Sequence, residues 1–205
     1  MASLGGHPAA ALVGACLVVA GLVSGVGALV VLHLCPTGLS PLRNAVSQYG
    51  ITAYRGGYRV QTLSYAVAGL GAVLGLSSYG GEVGPVVACC AVFALARGAI
   101  SWFPMSPPGG PPAKSGPYHA VLALAAFLAV AVAADELAGL LRHDDVHATI
   151  ATASHDVALA MLLVFIAMGL SRRAGGGTFG LVERVFYLCM TAFFVLVAFL
   201  LFLPR

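Results

Sequence analysis

Residues 9–32 read AAALVGACLVVAGLVSGVGALVVL, an apolar stretch without a single charged side chain. As an α-helix this stretch is long enough to cross the hydrocarbon core of a bilayer, which is roughly 30 Å thick and takes about 20 residues. Its apolar run is longer than the roughly 7–15 residues of a signal peptide, and no basic segment precedes it. The stretch therefore predicts a first transmembrane helix.

The composition of the whole chain agrees with this prediction. Of its 205 residues, 60% are hydrophobic and 8% are charged, whereas soluble domains average about 45–50% apolar and about 25% charged residues. A net charge of +3 is too dilute for a nucleic-acid surface. We therefore expect one all-α integral membrane domain over residues 1–205, with membrane lipids and no nucleic acid as partners. Six segments are apolar and long enough to form a bundle of six spans: 9–32, 58–78, 83–103, 117–140, 148–170 and 180–203.

The basic residues are distributed unevenly between the two ends of these spans. One end holds loops one, three and five, and the other holds both termini and loops two and four. The first end carries seven Lys and Arg residues, and the second carries only Arg142 and Arg205. The positive-inside rule then predicts a multi-pass protein of the cell membrane with loops one, three and five in the cytoplasm and both termini outside it. The seven are Arg43, Arg55, Arg59, Lys114, Arg172, Arg173 and Arg184.

Loop one carries the pattern of a short amphipathic helix. Ser40 and Pro41 fit an N-cap followed by proline at the first helical position. Leu42, Val46 and Tyr49 then recur at helical spacing before Gly50. The pattern predicts a short helix that lies at the membrane surface.

Small residues on two of the spans predict where helices approach closely. Gly21 and Gly25 form one Gly-xxx-Gly motif, and Gly71 and Gly75 form another. These motifs favour tight packing within the chain, and the alternative is a homo-oligomer built on the same faces.

Polar side chains gather near the ends of several spans on the arginine-rich face. Charge inside hydrocarbon costs at least about 2.5–3.5 kcal/mol, so each such residue needs a partner or a purpose. One interpretation is a hydrated pocket below the membrane surface, and the other is a rim where each head group meets water separately. Guanidinium groups suit phosphate and carboxylate, so we expect this pocket to bind an anionic lipid head group or a small anion, without a cofactor or catalytic residues. The predicted ligand-binding residues are Arg59, Gln61, Arg97, His119, Glu183 and Arg184.

The fifth span contains Ser154, His155 and Asp156, which we expect to be buried polar residues. Adjacent helical residues point about 100° apart, so these three cannot form a nucleophile–base–orienter chain. Asp156 would instead accept a structural hydrogen bond, for example from Ser154. Three histidines, His33, His119 and His155, are weak metal-ligand candidates. The functional alternatives are therefore a metal-dependent lipid hydrolase that uses these histidines with Asp156, a b-type haem protein, and a transporter.

Several short motifs together resemble one known family. Residues 39–50 read LSPLRNAVSQYG, Phe103-Pro104 is followed by Pro107, and Gly116-Pro117-Tyr118-His119 opens the fourth span. Their order, together with Glu183-Arg184 at the start of the last span, resembles the six-helix bacterial membrane proteins of domain-of-unknown-function family 998. The resemblance implies a six-helix bundle related to DRAM-type membrane proteins, and it implies no settled activity. One departure is that this chain has Met105-Ser106 where the family pattern has an acid shortly after the Phe-Pro pair.

Overall fold

The computed structural model describes residues 8–79, 82–142, 146–175 and 177–203, and the regular structure in these ranges is helical. The described residues form six α-helices and one 3₁₀ helix, Val46–Ile51, which lies in loop one. The prediction of an all-α protein is thus confirmed. The α-helices are α1 (Pro8–Leu34), α2 (Arg55–Ser77), α3 (Gly84–Ile100), α4 (Gly116–Leu141), α5 (Ala148–Arg173) and α6 (Phe179–Phe202).

Five of the six helices are long and apolar enough to cross a membrane. The exception is α3, which is apolar but has only 17 residues. Its sequence predicted a span as far as residue 103, but the helix ends at Ile100 and residues 101–103 form a turn that leads into the proline-rich loop three. The prediction of a multi-pass membrane protein is confirmed by these helices.

The helices form a ring in which each one packs against its neighbours in sequence, and α6 closes the ring against α1. α6 also contacts α2 and α4, so its side chains fill the centre of the bundle. Large buried side chains in this centre include Phe186, Met190, Phe193 and Phe194. This order places the start of α6 beside loop one and beside the first turns of α4.

α1 and α2 approach so closely that glycine is required at their interface. A Cβ atom added at Gly21 would lie 2.5 Å from the carbonyl oxygen of Ser64, and one at Gly14 would lie 2.6 Å from the carbonyl oxygen of Gly71. A Cβ atom at Gly75 would collide with Leu201 of α6. Both Gly-xxx-Gly motifs are therefore used for packing inside the chain.

Loop one differs from the predicted surface helix. Residues 40–44 form a tight turn, in which Asn44 Oδ1 accepts a hydrogen bond from the Ser40 amide at 2.7 Å, and the 3₁₀ helix follows. Val46 and Tyr49 are buried, so this segment points its apolar side chains into the bundle and packs on α2 and α6. The amphipathic pattern was identified correctly, but its apolar side faces protein because the ends of α2 and α6 leave room for it.

The structure also corrects the prediction that Ser154, His155 and Asp156 of α5 are all buried. Ser154 is fully buried, as predicted, but its hydroxyl has no hydrogen-bond partner in the described part of the chain, so the predicted hydrogen bond from Ser154 to Asp156 is not formed. His155 and Asp156 are exposed, which contradicts the expectation that all three are buried. The buried stripe of α5 contains Ala151, Ser154, Ala158 and Met161, and at about 100° per residue the two positions after Ser154 turn outward. His155 Nδ1 lies 3.0 Å from Asp135 Oδ1 of α4.

Candidate functional site

A cavity of about 380 Å³ lies between α4, α5 and α6, below loops one and three. Its wall on α4 and α5 includes exposed positions such as Ala120, Leu124 and Gly169, so the cavity opens outward between these two helices. Its inner part is apolar, and polar side chains gather at the end near the loops. The apolar part is lined by Leu124, Phe127, Phe165 and Met168, and the end near the loops by Ser47, Ser106, His119, Arg172, Phe179 and Glu183.

His119 is held in a fixed orientation at the polar end. Its Nδ1 lies 2.7 Å from the carbonyl oxygen of Phe103, and because a carbonyl only accepts, Nδ1 must carry the proton in this contact. Nε2 is then the ring atom available to a ligand. The Phe-Pro pair of loop three and the histidine of α4 are thus joined by one hydrogen bond.

Glu183 connects the cavity to loop one. Its side chain is buried, and Oε2 accepts a hydrogen bond from the amide of Val46 at 2.7 Å. Val46 is the first residue of the 3₁₀ helix, whose amide needs an acceptor outside that helix. The charged groups that line the cavity are thus this carboxyl group, which is already bound to loop one, and the guanidinium of Arg172.

Arg172 stands at the mouth of the cavity, in the last turn of α5. Its guanidinium carbon lies 5.7 Å from the centre of the Phe179 ring, which itself lines the cavity. Sequence reasoning counted Arg172 only as a topological charge and missed it as a site residue. The short connection between α5 and α6 was the available signal, because an antiparallel helix pair brings the end of α5 beside Phe179 and Glu183.

Arg97 and Gln61 form a separate cluster behind the cavity, and neither residue lines it. Arg97 is 2% exposed, and one terminal nitrogen donates to Gln61 Oε1 at 2.9 Å. Its guanidinium carbon lies 5.4 Å from the centre of the Tyr187 ring and 5.7 Å from that of Tyr65. Within the described ranges no carboxylate forms an ion pair with it, and Arg97 Nε and Gln61 Nε2 have no hydrogen-bond partner. Two aromatic faces and one amide thus hold this buried cation.

Arg184 holds loop one in place. Its Nε donates to His33 Nε2 at 2.6 Å, and one terminal nitrogen donates to the carbonyl oxygen of Asn44 at 2.9 Å. Gly180 supports the same contact, because a Cβ atom there would lie 2.6 Å from the carbonyl oxygens of Pro41 and Asn44. Arg184 is therefore a structural residue that holds loop one against the start of α6.

Arg59 faces away from the cavity, on the outside of α2. Its guanidinium carbon lies 5.1 Å from the centre of the exposed Trp102 ring. Of the six predicted ligand-binding residues, the structure thus brings only His119 and Glu183 to one cavity, and it places the other four elsewhere.

The three candidate metal-ligating histidines lie in three different environments. His33 uses Nδ1 toward the carbonyl oxygen of Leu29 and Nε2 toward Arg184, so both ring nitrogens are engaged. His119 lies at the cavity, and His155 pairs with Asp135 on the outer surface. Across the described ranges, no three His, Cys, Asp or Glu side chains are grouped as metal ligands would be.

Comparison with known proteins gives one match. A family model described as "Protein of unknown function (DUF998)" matches residues 18–200, which is nearly the whole chain. No curated protein and no solved structure matches this chain.

Proposed function

This chain belongs to the DUF998 family of proteins of unknown function, and we propose that it is a single-domain, six-span protein of the cell membrane that binds an anionic lipid head group in the cavity between α4, α5 and α6. Its role in this proposal is to bind or sense the lipid, without a catalytic step. The resemblance of its motifs to this family, noted from the sequence, is confirmed by the match.

The sixth span in this proposal is the short helix α3. Loop one, the start of α4 and the start of α6 all line one cavity, so they lie at one end of the bundle. α2 begins at that end and is long enough to cross, and α4 begins there again. α3 connects the far end of α2 to the near end of α4, so it has to return across the same membrane.

The observation that carries the binding proposal is the division of the cavity into a polar end and an apolar part. The polar end holds Arg172 and His119 beside two serine side chains, and the apolar part opens between α4 and α5 toward the lipid side. One carboxyl group, that of Glu183, lies among these residues, and it is buried and accepts a hydrogen bond from the amide of Val46. The exposed guanidinium of Arg172 at the mouth favours a phosphate group, and an apolar part below it favours a molecule with a hydrocarbon portion.

The test is the retention of phosphatidylglycerol by purified protein, measured by native mass spectrometry after reconstitution with equal amounts of phosphatidylglycerol and phosphatidylcholine. Arg172→Ala is expected to lower the retained phosphatidylglycerol about fivefold, because one arginine near a membrane surface contributes about 1 kcal/mol toward anionic lipid. The matched control is Arg142→Ala, since Arg142 is also exposed at a helix end but lies at the opposite end of the bundle.

A second arm separates a lipid head group from a free anion. Inorganic phosphate is added to the wild-type protein in increasing concentration before the lipid is measured. If the head group is the ligand, phosphate displaces the lipid only weakly, whereas a site for a free anion would bind phosphate without lipid. Equal phosphatidylglycerol retention in wild type, Arg172→Ala and His119→Ala would refute the proposal.

A further inference from the structure

The outer side of α4 and α5 carries a second groove that continues the cavity. This groove has a volume of about 280 Å³ and is lined by α4 and α5 alone. On α4 the cavity ends with Phe127 and the groove begins with Leu128; on α5 the cavity ends with Phe165 and the groove begins with Leu162. The two hollows therefore follow each other along the same helix pair.

The spacing of the lining residues shows that this is one seam. On each helix they recur every three or four residues, which keeps them on one face. On α4 they are Ala120, Ala123, Leu124, Phe127, Leu128, Ala131, Val132 and Asp135, and on α5, in the opposite direction, they are Arg172, Gly169, Met168, Phe165, Leu162, Leu159, Ala158 and His155. We define these two rows as the α4–α5 seam.

The seam is polar at both ends and apolar between them. Arg172 and the polar end of the cavity lie at one end, and the pair of Asp135 with His155 lies at the other. At about 1.5 Å per residue, the stretch from Ala120 to Val132 is about 18 Å long. One leaflet of a bilayer with a hydrocarbon core of roughly 30 Å is about 15 Å deep, so the apolar stretch has about the length of one lipid chain in its leaflet.

We infer that the α4–α5 seam binds one hydrocarbon chain of the lipid whose phosphate group lies in the cavity. This inference rests on the proposed function and names the ligand class more closely, as a phospholipid or other lipid phosphate with at least one long, straight chain. The positive charge of Arg172 favours an anionic head group. The apolar surface on which the hydrocarbon chain lies ends at the pair of Asp135 with His155. Head group and chain together determine the orientation of the bound lipid.

Photo-crosslinking tests where the chain lies. The probe is phosphatidic acid with a diazirine at the end of one acyl chain, present at a small mole fraction in phosphatidylcholine vesicles that contain the full-length protein. After irradiation, labelled peptides are mapped by mass spectrometry. We expect labels around Leu128, Val132 and Leu159. A second probe with the diazirine next to the ester group should shift the labels toward Ala120 and Gly169.

Lipids that merely surround the protein provide the reference. The outward-facing side of α1, with Val23 and Val30 exposed, reports this background labelling. Arg172→Ala should lower seam labelling about fivefold through loss of the head-group contact, and it should leave labelling of α1 unchanged because Arg172 lies on α5, away from α1. Equal labelling of the seam and of α1 in the wild type would overturn the inference.

A substitution inside the seam gives an independent readout. Ala131→Phe fills the groove, and it should lower seam labelling severalfold while the thermal midpoint stays near that of wild type. We expect no complete loss of labelling, because lipid tails elsewhere in the bilayer are as apolar as the seam. Filling the groove therefore removes only packing contacts with the hydrocarbon chain. Ala20→Phe on the exposed side of α1 is the matched control.

The outcomes separate the two proposals. If Arg172→Ala lowers phosphatidylglycerol retention but Ala131→Phe leaves labelling unchanged, the head-group site stands and the chain assignment is wrong. If Arg172→Ala and His119→Ala both leave retention and labelling unchanged, both proposals are wrong. Loss of both in Arg172→Ala, together with loss of labelling in Ala131→Phe, supports both.

Discussion

At the scale of single residues, Arg97 shows how a charge is kept inside this bundle. It has no carboxylate partner among the described residues, and it is held by two tyrosine rings and by Gln61. A buried ion without a counter-ion is expensive, and replacing buried charges by apolar residues of similar size is often neutral. The structure therefore gives Arg97 a role in packing, behind the cavity.

Two substitutions of Arg97 test this role. Arg97→Lys keeps the charge but loses the planar fork and the stacking on both rings, so we expect it to lower the free energy of unfolding by about 2 kcal/mol. Arg97→Met combined with Gln61→Leu removes the charge together with its amide partner and keeps most of the volume, so this double variant should stay within about 1 kcal/mol of wild type. The stability of each variant relative to wild type is measured by thermal unfolding in detergent. A lysine variant as stable as the wild type would contradict this account.

Glu183 gives a second prediction, because it joins loop one to the cavity. Glu183→Leu leaves the amide of Val46 without its acceptor, and a hydrogen bond to a charged group contributes about 1.5–3 kcal/mol. We expect faster hydrogen exchange over residues 46–51, measured by mass spectrometry, and a smaller increase for Glu183→Gln, which retains an acceptor oxygen. Glu136→Gln, at an exposed position of α4, is the control. Unchanged exchange in Glu183→Leu would show that the contact does not hold the loop.

Individual site residues were only partly predictable. The sequence shows that Arg59, Arg97, His119 and Glu183 lie near one end of the bundle, but not how far each helix is rotated. Rotation decides that Arg59 faces Trp102 on the outside while Arg97 faces Tyr187 in the core. Arg172 was missed because its place at the cavity depends on the neighbouring helix α6, which brings Phe179 beside it.

At the scale of helices, the α1–α2 interface depends on small residues more than on any polar contact. A Cβ atom at Gly21 would meet backbone atoms of α2 at 2.5–2.6 Å, and backbone cannot move aside as a side chain can. The sequence motif predicted this close approach correctly. It could not name the partner, since the same motif serves contacts within and between chains.

Gly21→Val tests the close approach. We expect it to lower the free energy of unfolding by about 3 kcal/mol through overpacking, with a matching fall of the thermal midpoint. Gly27→Ala on the same helix is the control, because a Cβ atom there meets nothing within 4 Å; alanine should leave stability unchanged or raise it by up to about 1 kcal/mol. If Gly21→Val unfolded at the same temperature as wild type, the helices would not be in contact at this residue.

Loop one was the hardest element to predict. Its helical spacing is real, but Leu42 is exposed while Val46 and Tyr49 are buried in protein. The amphipathic pattern indicates that one side is apolar and does not say whether that side meets lipid or other helices. Here the contacts made by Glu183, Arg184 and Gly180 at the start of α6 decide the outcome.

At the scale of the whole molecule, the fold class could be predicted from composition and span length, because membrane crossing leaves few alternatives to apolar helices. The shortness of α3 and the location of the cavity could not, since both depend on how the helices are arranged around α6. Loops one, three and five lie at one end of the bundle. The side of the membrane on which this end lies can be tested by labelling.

The distribution of Lys and Arg predicts that this end lies in the cytoplasm and the termini outside it. In a variant without its native cysteines, Ala53→Cys in loop one should react with an impermeant maleimide only after the cells are broken open. Val146→Cys in loop four should react in intact spheroplasts, since its side chain is 84% exposed at the other end. The reverse labelling pattern would invert the orientation and place the lipid site on the outer surface of the membrane.

The short third helix has a consequence for the membrane itself. Its 17 residues reach only about 25 Å along the helix axis, against a typical hydrocarbon thickness of about 30 Å. If α3 crosses as proposed, the bilayer beside it has to thin, at a cost of fractions of a kcal/mol for each Å of mismatch. Shorter-chain lipids would then collect along this side of the protein, and the protein itself would favour thin regions of the membrane over thick ones.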